Sequence, residues 1–311
     1  MSKAYARFLA RKQKNKVEYG FEVSQDDLPK KLHPFQKAIV QRSLKAGRFA
    51  IFADCGLGKT FMQLAWAQAV VKYTGGRVLI LCPLSVAPQT VEEGEKIGIT
   101  VSRSDGAITI TNYEQIDNID ESQYIGIVLD ESSILKNFDG KTRTALIDRF
   151  SHFKYRLACT ATPAPNSPDE IGNHAEFLGV MPRVQMLAQY YVNDALKSNS
   201  WRLKGHAEKD YFEFIRSWSV TVADPADINF PMKGYDLPCL NLIEHVIETE
   251  LRGETLTNEI AIGAANFNAE LRKTILPRMQ KAAELSRSVS GPVVIWINQN
   301  EEGKVLRELI P

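Results

Sequence analysis

The chain has 311 residues, 44% of them hydrophobic, enough for one large or two smaller globular domains. A formal net charge of +1 gives no global pull toward nucleic acid, so any such surface must be local. Its four cysteines, Cys55, Cys82, Cys159 and Cys239, form no C-x-x-C, no apolar run nears the ~20 residues that span a bilayer, and the N-terminus lacks a signal-peptide core; zinc sites, disulfide frames and membrane spans are disfavoured and a reducing, cytoplasmic setting is expected.

Residues 1–16 hold six Lys or Arg side chains and no acid, and 1–29 reads as a basic arm, more simply a solvated tail than a nucleic-acid clamp. A helical pattern over His33–Ala46 stops at Gly47, a suitable C′ residue. The apolar run ending at Ala53 reads as a strand, and Phe61–Tyr73 as a helix closed by Gly75-Gly76. Between them lies Ala53-Asp54-Cys55-Gly56-Leu57-Gly58-Lys59-Thr60. Strand, glycine loop, helix is the setting of a phosphate-binding loop. Gly56 and Gly58 let backbone N–H groups turn inward, and the helix N-terminus adds partial positive charge. Cys55 and Leu57 belong to that cradle; Lys59 would reach the β- and γ-phosphates of ATP, and the Thr60 hydroxyl would ligate Mg²⁺. The first glycine of the usual pattern is Ala53 here.

Further apolar runs follow at Val78–Leu81, Ile108–Ile110, Ile125–Leu129 and Arg156–Cys159, with a helical pattern over Lys141–Phe153. Consecutive rather than alternating apolar residues suit parallel strands buried on both faces. Residues 30–180 therefore read as an α/β lobe with a mostly parallel, doubly wound sheet. Asp130-Glu131 closes one run, at the strand end where open α/β sheets place ligands. Asp130 would hold Mg²⁺ and Glu131 would orient or deprotonate water. Over 181–238 aromatic and basic residues interleave, which reads as a helical insertion. Its Trp201, Phe212, Phe214 and Trp218 suit a small core better than base stacking, and Arg202 and Lys204 are candidate phosphate contacts. Residues 239–290 read as a helical linker, and Val293–Ile297 as a new strand within 291–311.

From about residue 30, over nearly its whole length, the chain resembles the superfamily-2 helicase-like ATPases, the Swi/Snf-type branch in particular. Asp130-Glu131-Ser132-Ser133-Ile134-Leu135-Lys136-Asn137 looks like that branch's Asp-Glu-x-His-x-x-Lys-Asn, with Ser133 at the His position. Arg156 through Thr160-Ala161-Thr162-Pro163 to Asn166 looks like motif III. Leu81-Cys82-Pro83-Leu84-Ser85 is similar to motif Ia, and Thr109-Ile110-Thr111-Asn112-Tyr113-Glu114 to motif Ib. Leu32-His33-Pro34-Phe35-Gln36 looks like the segment whose glutamine reads adenine. The tract from Trp201 through Trp218 to Leu237-Pro238 further resembles phage and prophage members of the branch.

The resemblance implies a RecA-like fold and an ATP- and Mg²⁺-dependent DNA translocase or helicase-like ATPase. It implies duplex DNA as track, a monomer, and a phage-encoded or bacterial cytosolic setting. By the same token Gln36, whose amide can donate and accept at a base edge, would read adenine; the blander alternative is a solvated helix glutamine. Thr160 and Thr162 would couple nucleotide to strand, or else merely cap a turn before Pro163. Ser85, Thr111 and Asn112 would touch phosphates, or else cap loops. Residues 291–311 would begin a second RecA-like lobe, whose completion needs on the order of 100 more residues. As an ATP hydrolase the chain is expected to be impaired, because that lobe is incomplete; the alternative is a non-catalytic fragment or scaffold that binds ATP and nucleic acid without turnover for the same reason.

Overall fold

The computed structural model describes residues 19–136, 140–194, 200–235, 239–247 and 271–310, in two compact units, Met1–Leu237 and Pro238–Pro311. The basic stretch 1–16 lies outside the described residues. Residues 19–29 are already part of the lobe. Phe21 is buried, donates its N–H to Leu44 O at 3.0 Å and stacks on Tyr73, so the expected arm does not extend to residue 29.

The first unit is built on a sheet of parallel strands: β1 (Arg48–Ala53), β2 (Val78–Cys82), β3 (Ile108–Asn112), β4 (Gly126–Asp130), β5 (Tyr155–Thr160) and β8 (Ser219–Val222). Their order is β3-β2-β4-β5-β1-β8 and every pairing is parallel. The α/β architecture with a parallel sheet is as expected. Parallel strands need crossovers, here supplied largely by helices α1 (Pro34–Ala46), α2 (Lys59–Thr74), α3 (Ala87–Lys96) and α4 (Lys141–Phe150). Helix α1 starts with Pro34 in its first turn and stops where Gly47 adopts φ 74°, a left-handed geometry that favours glycine.

Side-chain alternation along the strands feeds two cores. Phe49 and Ile51 of β1 join Phe35, Met62 and Trp66 from α1 and α2 on one face. Ala50 and Phe52 join Leu146, Phe150 and Trp218 on the other. Both faces are covered, which is why the central strands are mostly apolar at consecutive positions.

The aromatic segment departs from a purely helical insertion. It holds α6 (Arg183–Tyr190), a hairpin of β6 (Tyr191–Asp194) with β7 (Ser200–Leu203), and α7 (Glu208–Trp218), and then returns as β8 beside β1. A short helix, α5 (Ile171–Phe177), precedes it. Of the aromatics expected to form a core, Trp218 is in one and Trp201 and Phe214 pack against it, whereas Phe212 is 53% exposed. Tyr190, Tyr191, Tyr211, Phe214 and Trp218 pack against one another, and the Tyr191 and Tyr211 hydroxyls share a 2.8 Å hydrogen bond.

The second unit, described by itself, holds α8 (Ile275–Ser288) and α9 (Asn300–Leu309). Met279, Ala283 and Leu306 are buried, and Arg278 pairs with Glu302 at 2.6 Å. Of the expected helical stretch, residues 239–247 are not helical, 248–270 lie outside the described residues, and α8 is helical. Val293–Ile297 pairs with no strand among the described residues, and Trp296 is 92% exposed. An apolar β-prone run becomes a strand only when another strand accepts its backbone groups.

Candidate nucleotide site

A parallel sheet sends the C-terminal ends of its strands to one edge. That edge receives the loops after β1, β4 and β5, which are neighbours in the sheet though far apart in sequence.

The loop after β1 is held from three sides. Asp54 N donates to Val222 O at 2.9 Å, extending the β1–β8 ladder into the loop. Leu57 is buried in the core, an anchor worth about 1.5–3 kcal/mol. Gln36 of α1, 2% exposed, donates from Nε2 to Leu57 O at 3.0 Å, while its Oε1 accepts from His33 N at 2.9 Å. Between these anchors Gly56 and Gly58 take φ 85° and 74°. Ala53 is not among the positive-φ residues, so the missing first glycine meets no conformational demand at that position. A Cβ on Gly58 would lie 2.4 Å from Gln36 Nε2. Gln36 thus braces the loop.

Helix α2 begins at Lys59, whose first-turn N–H groups have no intrahelical acceptors. Lys59 Nζ donates to Ala53 O at 2.8 Å and Asp54 O at 3.1 Å, lying across the loop's own carbonyls. Thr60 sits partly exposed in that first turn, and Cys55 is exposed at the loop tip, its N–H donating to Asp54 Oδ1 at 2.7 Å.

The carboxylates follow β4. Asp130 is 8% exposed. Burial chiefly, and the neighbouring Glu131 charge, push its carboxyl above the usual range, against the opposing pull of Gln63 and Lys59. The Tyr113 hydroxyl donates to Asp130 O at 2.7 Å. Glu131 takes φ 58°, unusual for a residue with a Cβ. Its Oε1 accepts from Thr160 Oγ1 at 2.7 Å and from Ser133 Oγ at 2.6 Å, and Thr160 Oγ1 in turn accepts from Thr162 N at 3.0 Å. A continuous chain of hydrogen bonds therefore runs from the carboxylate through Thr160 to the exposed turn at Thr162. Ser133, at the expected His position, is a direct partner of Glu131.

Several participants had no role in the sequence reading. Gln63, one helical turn beyond Lys59, is fully buried with neither amide atom hydrogen-bonded, although it lies close enough to Asp130 to favour that residue's charged form. Its i+4 spacing from Lys59 was the available signal. Tyr113 lay inside the motif Ib match. His174 reaches Ser132 across 42 residues, with no local signal.

The proposed strand contacts divide. Ser85 is exposed in the turn after β2, and Thr111 is partly exposed at the end of β3. Asn112 accepts from Gln115 N at 3.1 Å and caps the turn Tyr113–Asn118. Arg202 is exposed on β7. Lys204 Nζ donates to Ala188 O at 2.8 Å and Gln189 O at 3.2 Å, so its charge sits on the C-terminal carbonyls of α6.

The residues present fit a magnesium-bound nucleoside triphosphate. The loop turns through Gly56 and Gly58 in left-handed geometry with an open position at Gly56, Asp130 is buried near Lys59, and the donors are hard oxygens. Among the described residues no cluster of three or more His, Cys, Asp or Glu could hold a metal by itself. Magnesium commonly takes one or two protein oxygens, with phosphate and water completing the shell. No helix among the described residues is long and apolar enough to cross a membrane.

No family model matches the chain. Over 160 residues it is 26% identical to the SWI/SNF chromatin-remodeling complex subunit snf22 of Schizosaccharomyces pombe, covering 43% of this chain and 9% of that protein. In fold it is similar to the Sulfolobus solfataricus SWI2/SNF2 ATPase core in complex with dsDNA, with a TM-score of 0.54, 22% identity, and 67% of this chain against 48% of that one. The Sulfolobus solfataricus SWI2/SNF2 ATPase core domain is similar at TM-score 0.50 and 22% identity, over 69% of this chain and 50% of that one. The chain thus spans about half of these cores and about a tenth of snf22. These findings agree with the resemblance to Swi/Snf-type helicase-like ATPases and with the RecA-like fold.

Proposed function

We propose that this chain carries the first, nucleotide-binding lobe of an ATP-dependent DNA translocase of Swi/Snf type. One observation carries the reading: the hydrogen-bonded chain Glu131–Thr160–Thr162, which joins a carboxylate at the end of β4 to an exposed turn after β5, beside a glycine loop presenting Lys59 and Thr60. The fold shared with a SWI2/SNF2 ATPase core crystallised on dsDNA supports duplex DNA as the track. A soluble monomer acting in a bacterial or phage-infected cytoplasm is the setting proposed.

ATP supplies the electrophilic γ-phosphorus, and Mg²⁺ the charge that neutralises its oxygens. Thr60 and Asp130 would hold the metal. Lys59 exchanges its loop carbonyls for phosphate oxygens, and the α2 N-terminus adds its N–H groups. Glu131 takes the proton of the attacking water, its carboxylate held still by Thr160 and Ser133. Gln36 keeps the loop shaped, and both of its amide atoms are engaged in doing so, so an adenine-reading role would require it to exchange one of them. Ser85, Thr111 and Thr162 offer hydroxyls toward phosphates of the strand, with Arg202 as an outlying cation.

The test is ATP turnover with and without duplex DNA, beside calorimetry of Mg-ATP. Lys59→Ala should weaken binding at least tenfold. Glu131→Gln should keep binding and lose hydrolysis, because an amide cannot accept the proton. Unchanged affinity in the first variant, or wild-type turnover in the second, would sink the assignment.

A further inference from the structure

The turn that carries the candidate base is gripped by one short helix. His174 of α5, fully buried, shares a 3.0 Å hydrogen bond between Nε2 and Ser132 Oγ, its direction following the imidazole tautomer. The ring stands edge-on to Phe52 of β1 with centroids 5.3 Å apart, and Nδ1 has no partner. The preceding residue, Asn173, donates from Nδ2 to Lys136 O at 3.2 Å, while its Oδ1 accepts from Arg143 Nε at 3.1 Å. Adjacent residues of α5 therefore hold both ends of the turn Ser132–Lys136. On the near side, Tyr113 holds the carbonyl of Asp130.

Glu131 lies between these anchors in a left-handed backbone conformation. A residue with a Cβ stays there only when its surroundings over-determine it. Before it, Asp130 is paired in the sheet and held by Tyr113, and the carbonyl of Glu131 itself accepts from Ile134 N at 3.3 Å. After it, Ser132 is buried and fixed by His174.

We propose that His174 is a positioning residue for ATP hydrolysis: by locking Ser132 it keeps Glu131 in the strained backbone from which the carboxylate meets Thr160 and the attacking water. The proposal rests on reading Glu131 as the base. Packing alone would require only an apolar ring at this position, since Phe52 offers an aromatic face. The imidazole instead places a nitrogen on the one hydroxyl next to Glu131.

Single-turnover hydrolysis by the full 311-residue chain tests this, with Mg-ATP affinity and thermal midpoint measured on the same variants. Ser132→Ala removes one buried oxygen, and His174→Phe keeps the ring volume, so both should fold. Each should lower the hydrolysis rate about tenfold with Kd for Mg-ATP within about twofold of wild type. The double variant should fall no further than the worse single, because both remove one bond. Wild-type rates in the two singles, with Glu131→Gln inactive, would overturn the positioning role and leave Glu131 as base. Independent, multiplying losses, or losses in affinity equal to those in rate, would mark a merely structural contact and overturn it too. Turnover by Glu131→Gln at wild-type speed would remove the reading of Glu131 and this role with it.

Discussion

Gly58→Ala, compared with Gly56→Ala, tests whether Gln36 braces the phosphate loop. Both glycines have positive φ, 74° and 85°, so each alanine carries the same left-handed strain, about 1–2 kcal/mol. Each also gains the same few tenths to 1 kcal/mol from a stiffer unfolded chain, which cancels in the comparison. The surroundings differ. A Cβ at Gly56 meets nothing within 4 Å, whereas one at Gly58 lies 2.4 Å from Gln36 Nε2. The amide must swing away, losing its bond to Leu57 O and straining the one from His33 N. A lost hydrogen bond of this kind is worth about 0.5–1.5 kcal/mol. Gly58→Ala should therefore be less stable than Gly56→Ala by about 1 kcal/mol in urea denaturation, and should bind Mg-ATP more weakly. In a Gln36→Ala background the difference should vanish. Equal costs for the two glycines, or an undiminished difference without Gln36, would refute the brace.

Burial holds the His174 pKa down at about 4, against about 6.5 for an unfolded chain. The unfolded state then binds the proton first, so this contribution is intact above pH 6.5 and is lost as pH falls toward 4, by about 3 kcal/mol. The raised Asp130 carboxyl tilts the other way, so the acid loss is read as wild type minus His174→Phe; parallel profiles from pH 7 to 4 would contradict the buried neutral imidazole. Thiol labelling of the native chain should modify Cys55 and Cys239, which are exposed, before Cys82 and Cys159, which are buried with thiol pKa values raised, that of Cys82 to about 12. Mg-ATP should slow labelling at Cys55, and mass spectrometry showing an unchanged rate there would contradict the loop as a nucleotide cradle.

What the sequence determined by itself was local. Ala53–Thr60 between a strand and a helix, Asp130-Glu131 at the end of an apolar run, and the recurrence of such runs each lie within a short stretch, where period and turn chemistry are readable. That was enough for an α/β lobe and for both halves of the site. Partner choice was not readable. Val293–Ile297 and Ser219–Val222 are both β-prone, yet only the second has a ladder, because β1 offers it a free edge. Lys204 resembled a phosphate ligand until the end of α6 lay beneath it. The Gln36–Leu57, Thr160–Glu131 and His174–Ser132 bonds join residues 21 to 42 positions apart. Each exists because a crossover returns the chain to the same edge of the sheet, and only the order β4-β5-β1 decides which side chains meet there.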